Sequence, residues 1–181
     1  MKPATADYQT RIAALLRELE IPGNYAVGRG LKLQPEAAAE ELTTIASNSA
    51  GTPVRLIRPA AAAWAGLNAS ARTAGITLVP LSGFRSVSRQ REIIRHKLNL
   101  GDTIPIILTH VAAPGYSEHH TGCALDLGTP GEPDMEENFA ATPAYRWLQA
   151  HAGDWGFQLS YPRDNPHGIV FEPWHWCWRH A

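Results

Sequence analysis

Two short stretches carry the residues of this chain that could do chemistry. Ser117-Glu-His-His-Thr-Gly-Cys-Ala-Leu-Asp126 sets an imidazole and a carboxylate a few residues apart around a glycine, and Glu172-Pro-Trp-His-Trp176 sets a carboxylate three residues before another imidazole. Together they supply two histidines and one aspartate as metal ligands, with a glutamate left over. A hydrolytic zinc site takes three protein ligands from His, Asp or Glu and keeps a fourth position for water. A carboxylate that is not a ligand can take a proton from that water. Of the adjacent pair His119 and His120, one is the expected ligand, because neighbouring side chains on an extended loop diverge; the residues alone leave open which. Each residue by itself has a plainer reading: a hydrogen-bonded core histidine, an Asp in a turn, tryptophans packed in a core. Their conjunction is what points to metal-assisted hydrolysis.

The elements that must position these residues are those of an ordinary globular chain. The 181 residues suit a single domain with its own core. A net charge of −1, with no run of like charges, argues against nucleic acid or an anionic membrane as the main partner. No apolar segment approaches the roughly 18 residues that span a bilayer. The start, Met1-Lys-Pro-Ala-Thr-Ala-Asp-Tyr8, lacks the basic-then-apolar build of a signal peptide. The expected compartment is the cytoplasm, or the cell envelope if the start was trimmed or export is unconventional. Cys123 and Cys177 are too few for a disulfide scaffold.

Apolar residues at helical spacing predict a helix over residues 8–20, ended by Pro22-Gly23. Residues 25–33 read as a strand or a connection. Pro35 opens a second predicted helix through about Ser47. Val54–Ile57 is a strand candidate, and Pro59 starts an alanine-rich helix that ends near Gly75. Ile76–Leu81 reads as a strand and residues 86–99 as a helix, while 104–111 fits either a helix or a buried extended piece. Cys123–Leu127 is a predicted strand. Thr142 caps a helix through about His151, and Phe157–Tyr161, Ile169–Phe171 and Trp174–Trp178 are further strand candidates. Helices lead and strands cluster late, so the expected class is α+β, with a small, mainly antiparallel sheet carrying the zinc site. The division expected within the single domain is a mostly helical part, 1–75, and a core, 76–181, that carries the candidate zinc ligands.

Side chains alternate faces along a strand. Ala124 and Asp126 therefore share one face, opposite Cys123, Leu125 and Leu127. His175 and Cys177 share a face opposite the three tryptophans 174, 176 and 178, and His175 should meet Asp126. Glu172 has the wrong parity to join His175 unless Pro173 bends the chain. The same parity puts Cys123 and Cys177 on opposite sides of the sheet, so two free thiols are expected.

Ser117-x-His119-x-x-Gly122-x-Ala124-x-Asp126, followed by Glu172-Pro-Trp-His175, resembles the VanY-like D-alanyl-D-alanine carboxypeptidases, within the wider lysostaphin-type and D-Ala-D-Ala metallopeptidase group. Ser82-Gly-Phe-Arg-Ser-Val-Ser-Arg-Gln90 resembles a third family segment, and Gly156-Phe-Gln-Leu-Ser-Tyr-Pro162 the strand before the Glu-Pro-Trp-His motif. The resemblance covers residues 76–178. It implies that His119, Asp126 and His175 are zinc ligands, with His119 chosen because the family's pattern places the ligand two after the serine. It implies further that Glu172 is the catalytic base, that Arg85 contacts the substrate near the scissile carbonyl or its terminal carboxylate, and that Ser117 and Gln90 line the substrate cleft. Ser160 stands where an arginine precedes the Tyr-Pro pair in many relatives.

The function so implied is a zinc metallopeptidase that removes the terminal D-alanine from peptidoglycan stem peptides or precursors. An L,D-carboxypeptidase, a dipeptidase or an endopeptidase on the same scaffold is the enzyme alternative. A degenerate domain that binds zinc or wall peptides without turnover is the other class, and Glu172 argues against it, since structural zinc needs no base.

Overall fold

The computed structural model describes residues 5–179; residues 1–4, which open the stretch read above for a leader, lie outside it with 180 and 181. Among the described residues the α-helices are α1 (Ala6–Glu18), α2 (Arg58–Thr73), α3 (Val87–Asn99), α4 (Ile104–His110) and α5 (Pro143–His151). The strands are β1 (Leu42–Ser47), β2 (Pro53–Ile57), β3 (Val79–Ser82), β4 (Ala124–Gly128), β5 (Phe157–Leu159) and β6 (His175–Trp178). The chain is α+β, and every strand pair is antiparallel: β1 with β2, and a four-stranded sheet in the order β3-β4-β6-β5. No described helix is long and apolar enough to cross a membrane.

The four-stranded sheet has one core face and one chemical face. Leu125, Leu127, Trp176 and Phe157 point into the main core, against Trp64, Leu67 and Ala71 of α2 and Leu148 of α5. Leu125 and Leu127 are completely buried, and each contributes on the order of 2 kcal/mol by leaving water. A second core joins α1, α3 and α4 through Ile12, Leu16, Val87, Ile94 and Ile107.

Helix ends follow the expected chemistry. Thr5, Ser86 and Thr142 each accept a backbone N–H three residues on, at 3.3, 3.1 and 3.1 Å. The Glu36 carboxylate accepts the Val87 N–H at 2.8 Å at the start of α3 and pairs with Arg11 of α1, which ties the N-terminal segment to the helix that carries Gln90.

Several local expectations are corrected. The helix expected over residues 35–47 is a single turn at Ala39–Glu41 followed by β1. Thr43, Thr44 and Ile45 are β-branched, and the strand finds a partner in β2 with a bulge between Thr44 and Ala46. Of the two readings of residues 25–33, the connection holds: they carry a short 3-10 turn, Val27–Arg29. Ile169–Phe171 pairs with no strand; the Val170 N–H goes to the Thr109 carbonyl of α4 at 2.8 Å. The undecided segment 104–111 is α4, with Pro105 in its first turn. Cys123 lies just before β4, where parity does not govern it. It joins Ala124 and Cys177 in one small buried cluster instead of facing away, and both thiols are free.

Thr142 Oγ1 also donates to the Phe139 carbonyl at 2.7 Å, and the residue is 5% exposed. Thr142→Ala should therefore cost about 1–2 kcal/mol. The expected result is a lower urea midpoint with an unchanged slope; an unchanged midpoint would show that the cap contributes nothing.

Candidate metal centre

The site is built where β4 and β6 pair. Asp126 lies directly across from His175, and Ala124 across from Cys177, so the carboxylate and the imidazole emerge on the same side of the sheet beside a side chain that leaves room. A tight turn precedes β6: the His175 N–H bonds the Glu172 carbonyl at 3.1 Å, with Pro173 at its corner. That bend brings Glu172 to the cleft that its parity alone would deny it.

His119 arrives on a short 3-10 turn, Glu118–Thr121, which ends at Gly122 with φ 67. A side chain at Gly122 would be strained by that φ and would also stand 3.0 Å from Ile57 and Leu42 atoms. His119 Nδ1–H donates to the Gly83 carbonyl at 2.7 Å, so Nε2 keeps its lone pair, 3.2 Å from Asp126 Oδ2. His175 Nδ1 is 3.0 Å from Asp126 Oδ1. The donor atoms of His119, Asp126 and His175 all lie within 4.8 Å of one another, and all three residues are buried. They could hold a metal ion.

His120 is engaged elsewhere. Its Nδ1–H donates to the Arg85 carbonyl at 2.6 Å and its Nε2 accepts the Gly115 N–H at 3.1 Å. Both ring nitrogens are taken by backbone, and burial first, then nearby positive charge, lowers the pKa to about 4 despite the bond to Arg85. His120 ties together the loops that carry Arg85 and His119.

Arg85 stands at the edge of the donor set, its Nη2 3.9 Å from Asp126 Oδ2. Its guanidinium donates to Gln90 Oε1 and Ser82 Oγ, both at 3.1 Å, and Gln90 Nε2–H donates to the Ala112 carbonyl at 2.7 Å. Gln90, 1% exposed, thus reaches Arg85 from the buried face of α3. Ser117 is buried in the wall of the same cleft. The cleft has a volume of about 430 Å³, and Glu172, Tyr161, Trp174, Ile93, Lys97 and His110 line it with the donor set.

Two groups were not singled out in the sequence. Glu118 Oε2 lies 3.0 Å from His175 Nε2 and accepts Ser160 Oγ–H at 2.6 Å, while Oε1 accepts Arg179 Nη2–H. The Tyr161 ring lies against His175, with centroids 4.9 Å apart. Glu118 stands inside the first motif and Tyr161 inside the Tyr-Pro pair, so the sequence did name both places without naming the roles.

Electrostatics separates the acids. Burial opposes charge on all of them, but hydrogen bonds and charge from the two histidines hold Asp126 well below the usual carboxylate range. His175, Arg179 and Ser160 do the same for Glu118. Burial likewise disfavours charge on His175, yet its bonds to Asp126 and Glu118 prevail and raise its pKa to about 10 in the metal-free protein. Burial lifts Glu172 to about 7.

A family model described as VanY, D-alanyl-D-alanine carboxypeptidase, matches residues 54–181. The D-alanyl-D-alanine carboxypeptidase of Enterococcus faecalis (strain ATCC 700802 / V583) is 31% identical over 117 residues, which cover 59% of this chain and 42% of that protein. The match thus takes in less than half of that relative's length. The LdcB LD-carboxypeptidase structure aligns with a TM-score of 0.71 at 27% identity, over 81% of this chain and 71% of that one. A vancomycin-resistance D,D-pentapeptidase VanY variant in complex with Zn(II) aligns at 0.61 and 28% identity, over 82% and 84%.

A pair of variants tests the choice of imidazole. His119→Ala should abolish tight zinc uptake, measured by chelator competition, whereas His120→Ala should retain the metal and lose thermal stability. Zinc loss confined to His120→Ala would reverse the assignment. Gly83→Ala should harm both properties, because a Cβ there would stand 2.4 Å from the Arg55 carbonyl oxygen and push away the carbonyl that holds His119.

Proposed function

The chain belongs to the VanY family of D-alanyl-D-alanine carboxypeptidases, and from that premise we propose that it is a zinc-dependent carboxypeptidase that hydrolyses the terminal D-alanine peptide bond of peptidoglycan stem peptides or their precursors. The observation that carries the reading is the meeting, in one cleft, of the His119, Asp126 and His175 donor set with Glu172 and Arg85. Two imidazoles and one carboxylate are the ligand types zinc accepts in hydrolytic sites. Each imidazole has its far nitrogen engaged, by Gly83 or by Glu118, which leaves the near one for the ion. When bound, zinc supplies a Lewis acid that polarises the scissile carbonyl and lowers the pKa of water towards roughly 7.

The chain's own residues do the rest. Glu172, which burial raises to about 7 in the metal-free protein, faces the cleft as a carboxylate that can take a proton from water and release it to the departing amine. Hydrolysis needs both transfers. Arg85 is held by Ser82 and Gln90 and turns its positive charge towards the donor set, where it suits the substrate's terminal carboxylate or the charge that develops on the carbonyl oxygen. Gln90 acts by fixing Arg85, and Ser117 lines the cleft beside His119.

A second scissile bond is supported by solved structures of both specificities on this fold, with one LD-carboxypeptidase at a TM-score of 0.71 and another at 0.58, on either side of the D,D-pentapeptidase at 0.61. The two readings share the site and differ in the residue that precedes the terminal D-alanine. Mass spectrometry of defined tri-, tetra- and pentapeptide stems after incubation with the zinc-loaded protein decides between them. Loss of one alanine from the pentapeptide alone marks the D,D activity, and its loss from the tetrapeptide alone marks the L,D activity. Loss from neither would exclude both.

Glu172→Gln should keep zinc and lower kcat by about 10²–10⁴, the usual worth of a positioned acid–base group. A fall of less than about tenfold would remove Glu172 from the role of base.

A further inference from the structure

We propose that Glu118, itself set by Arg179 and Ser160, is the positioning residue that fixes His175 in the tautomer with its proton on Nε2 and Nδ1 free for the metal. The inference rests on the reading of His119, Asp126 and His175 as the zinc donors.

His175 is 3% exposed and lies between two carboxylates, with Nδ1 at 3.0 Å from Asp126 Oδ1 and Nε2 at 3.0 Å from Glu118 Oε2. Asp126 belongs to the donor set and Glu118 does not. When the ring ligates through Nδ1, its one remaining proton must sit on Nε2, and Glu118 is the group that receives it. The other imidazole is handled differently, because His119 gives its proton to a neutral peptide carbonyl at Gly83. A carboxylate acceptor orients a ring and raises its basicity more than a carbonyl does.

Glu118 is not free to turn. One oxygen takes the Ser160 hydroxyl as well as His175, and the other takes Arg179. Arg179 is anchored in turn, its backbone N–H bonding the Gly156 carbonyl at 2.8 Å just beyond the end of β6. Its guanidinium compensates a carboxylate that would otherwise add an unbalanced charge behind the metal.

A simple clasp between the Glu118–Thr121 turn and the last strand predicts different data. Zinc affinity is measured by chelator competition at fixed pH on wild type, Glu118→Ala, Glu118→Gln and Arg179→Ala, with thermal unfolding of each metal-free protein alongside. The expected result is a 10–100-fold loss of affinity in Glu118→Ala, partial recovery in Glu118→Gln, whose amide oxygen still accepts from Nε2, and an intermediate loss in Arg179→Ala. Affinity within about twofold of wild type in Glu118→Ala, with only the unfolding temperature lowered, would overturn the proposal. A measurement that needs no variant runs beside it: imidazole ¹⁵N NMR of the zinc-loaded wild type should show His175 protonated on Nε2, and a proton on Nδ1 would overturn it. His175→Ala separates the two levels of the argument. If that variant keeps wild-type zinc affinity, the donor set itself is wrong; if it loses zinc while Glu118→Ala does not, only the role of Glu118 fails.

Discussion

The pairing of Asp126 with His175 across β4 and β6 is the constraint on which the rest of the structure depends. Side chains opposite each other in an antiparallel ladder stand about 5 Å apart on the same face, so the ladder alone delivers a carboxylate and an imidazole to one point. The same register turns Leu125, Leu127 and Trp176 the other way, into the main core. A slip of one residue would exchange the faces, burying the acid among α2 and α5 and exposing the leucines. The site is therefore held by the full hydrophobic weight of the core, although none of its members is apolar.

The third donor has no such ladder and is secured by a knot of loops. The Arg85 N–H bonds the His119 carbonyl at 3.1 Å, His119 returns a bond to the Gly83 carbonyl, and His120 bonds the Arg85 carbonyl. Gly83 and Arg85 of one loop thus clasp the consecutive His119 and His120 of another. Phe84 N–H, bonded to the Arg55 carbonyl at 2.7 Å, anchors the first loop to β2. This dependence on β2 gives a physical reason why the family match begins at residue 54 rather than at the boundary of 76 expected from the motifs. None of the residues from 54 to 75 belongs to the donor set or lines the cleft. They supply the surface on which the donor loops rest, and their apolar side chains Val54, Leu56, Trp64 and Leu67 belong to the main core.

What the sequence made legible follows the range of the interactions. Period-two alternation along 124–127 and 175–178 is local, and it separated the face of Leu125, Leu127 and Trp176 from the face of Asp126 and His175. The cap at Thr142 is local too. The helix expected over 35–47 failed because the hairpin partner that makes Leu42–Ser47 a strand lies on the far side of a turn. The strand expected at Ile169–Phe171 failed because its backbone bonds a helix, which no alternation encodes. His120 looked equivalent to His119 until the loops closed around it. Glu118 escaped notice because its meaning comes from Arg179, 61 residues away in the chain, and from a register that only the folded sheet sets.

Glu118 and Glu172 show how far environment rather than residue type decides role. Both are buried to nearly the same degree, 9% and 8% exposed, and burial raises both. Glu118 then receives hydrogen bonds from His175, Ser160 and Arg179, which outweigh that penalty and hold its pKa well below the usual carboxylate range. No described group hydrogen-bonds the Glu172 carboxylate. The pull of His175 and Arg85 on Glu172 is set against the repulsion of Asp126 and Glu118, so burial prevails and leaves it near 7. A carboxylate held in its charged form by three donors is suited to orienting a ligand, and one without such partners is suited to moving a proton. The partners that fix the first are also what keep it from competing with the second for the same task.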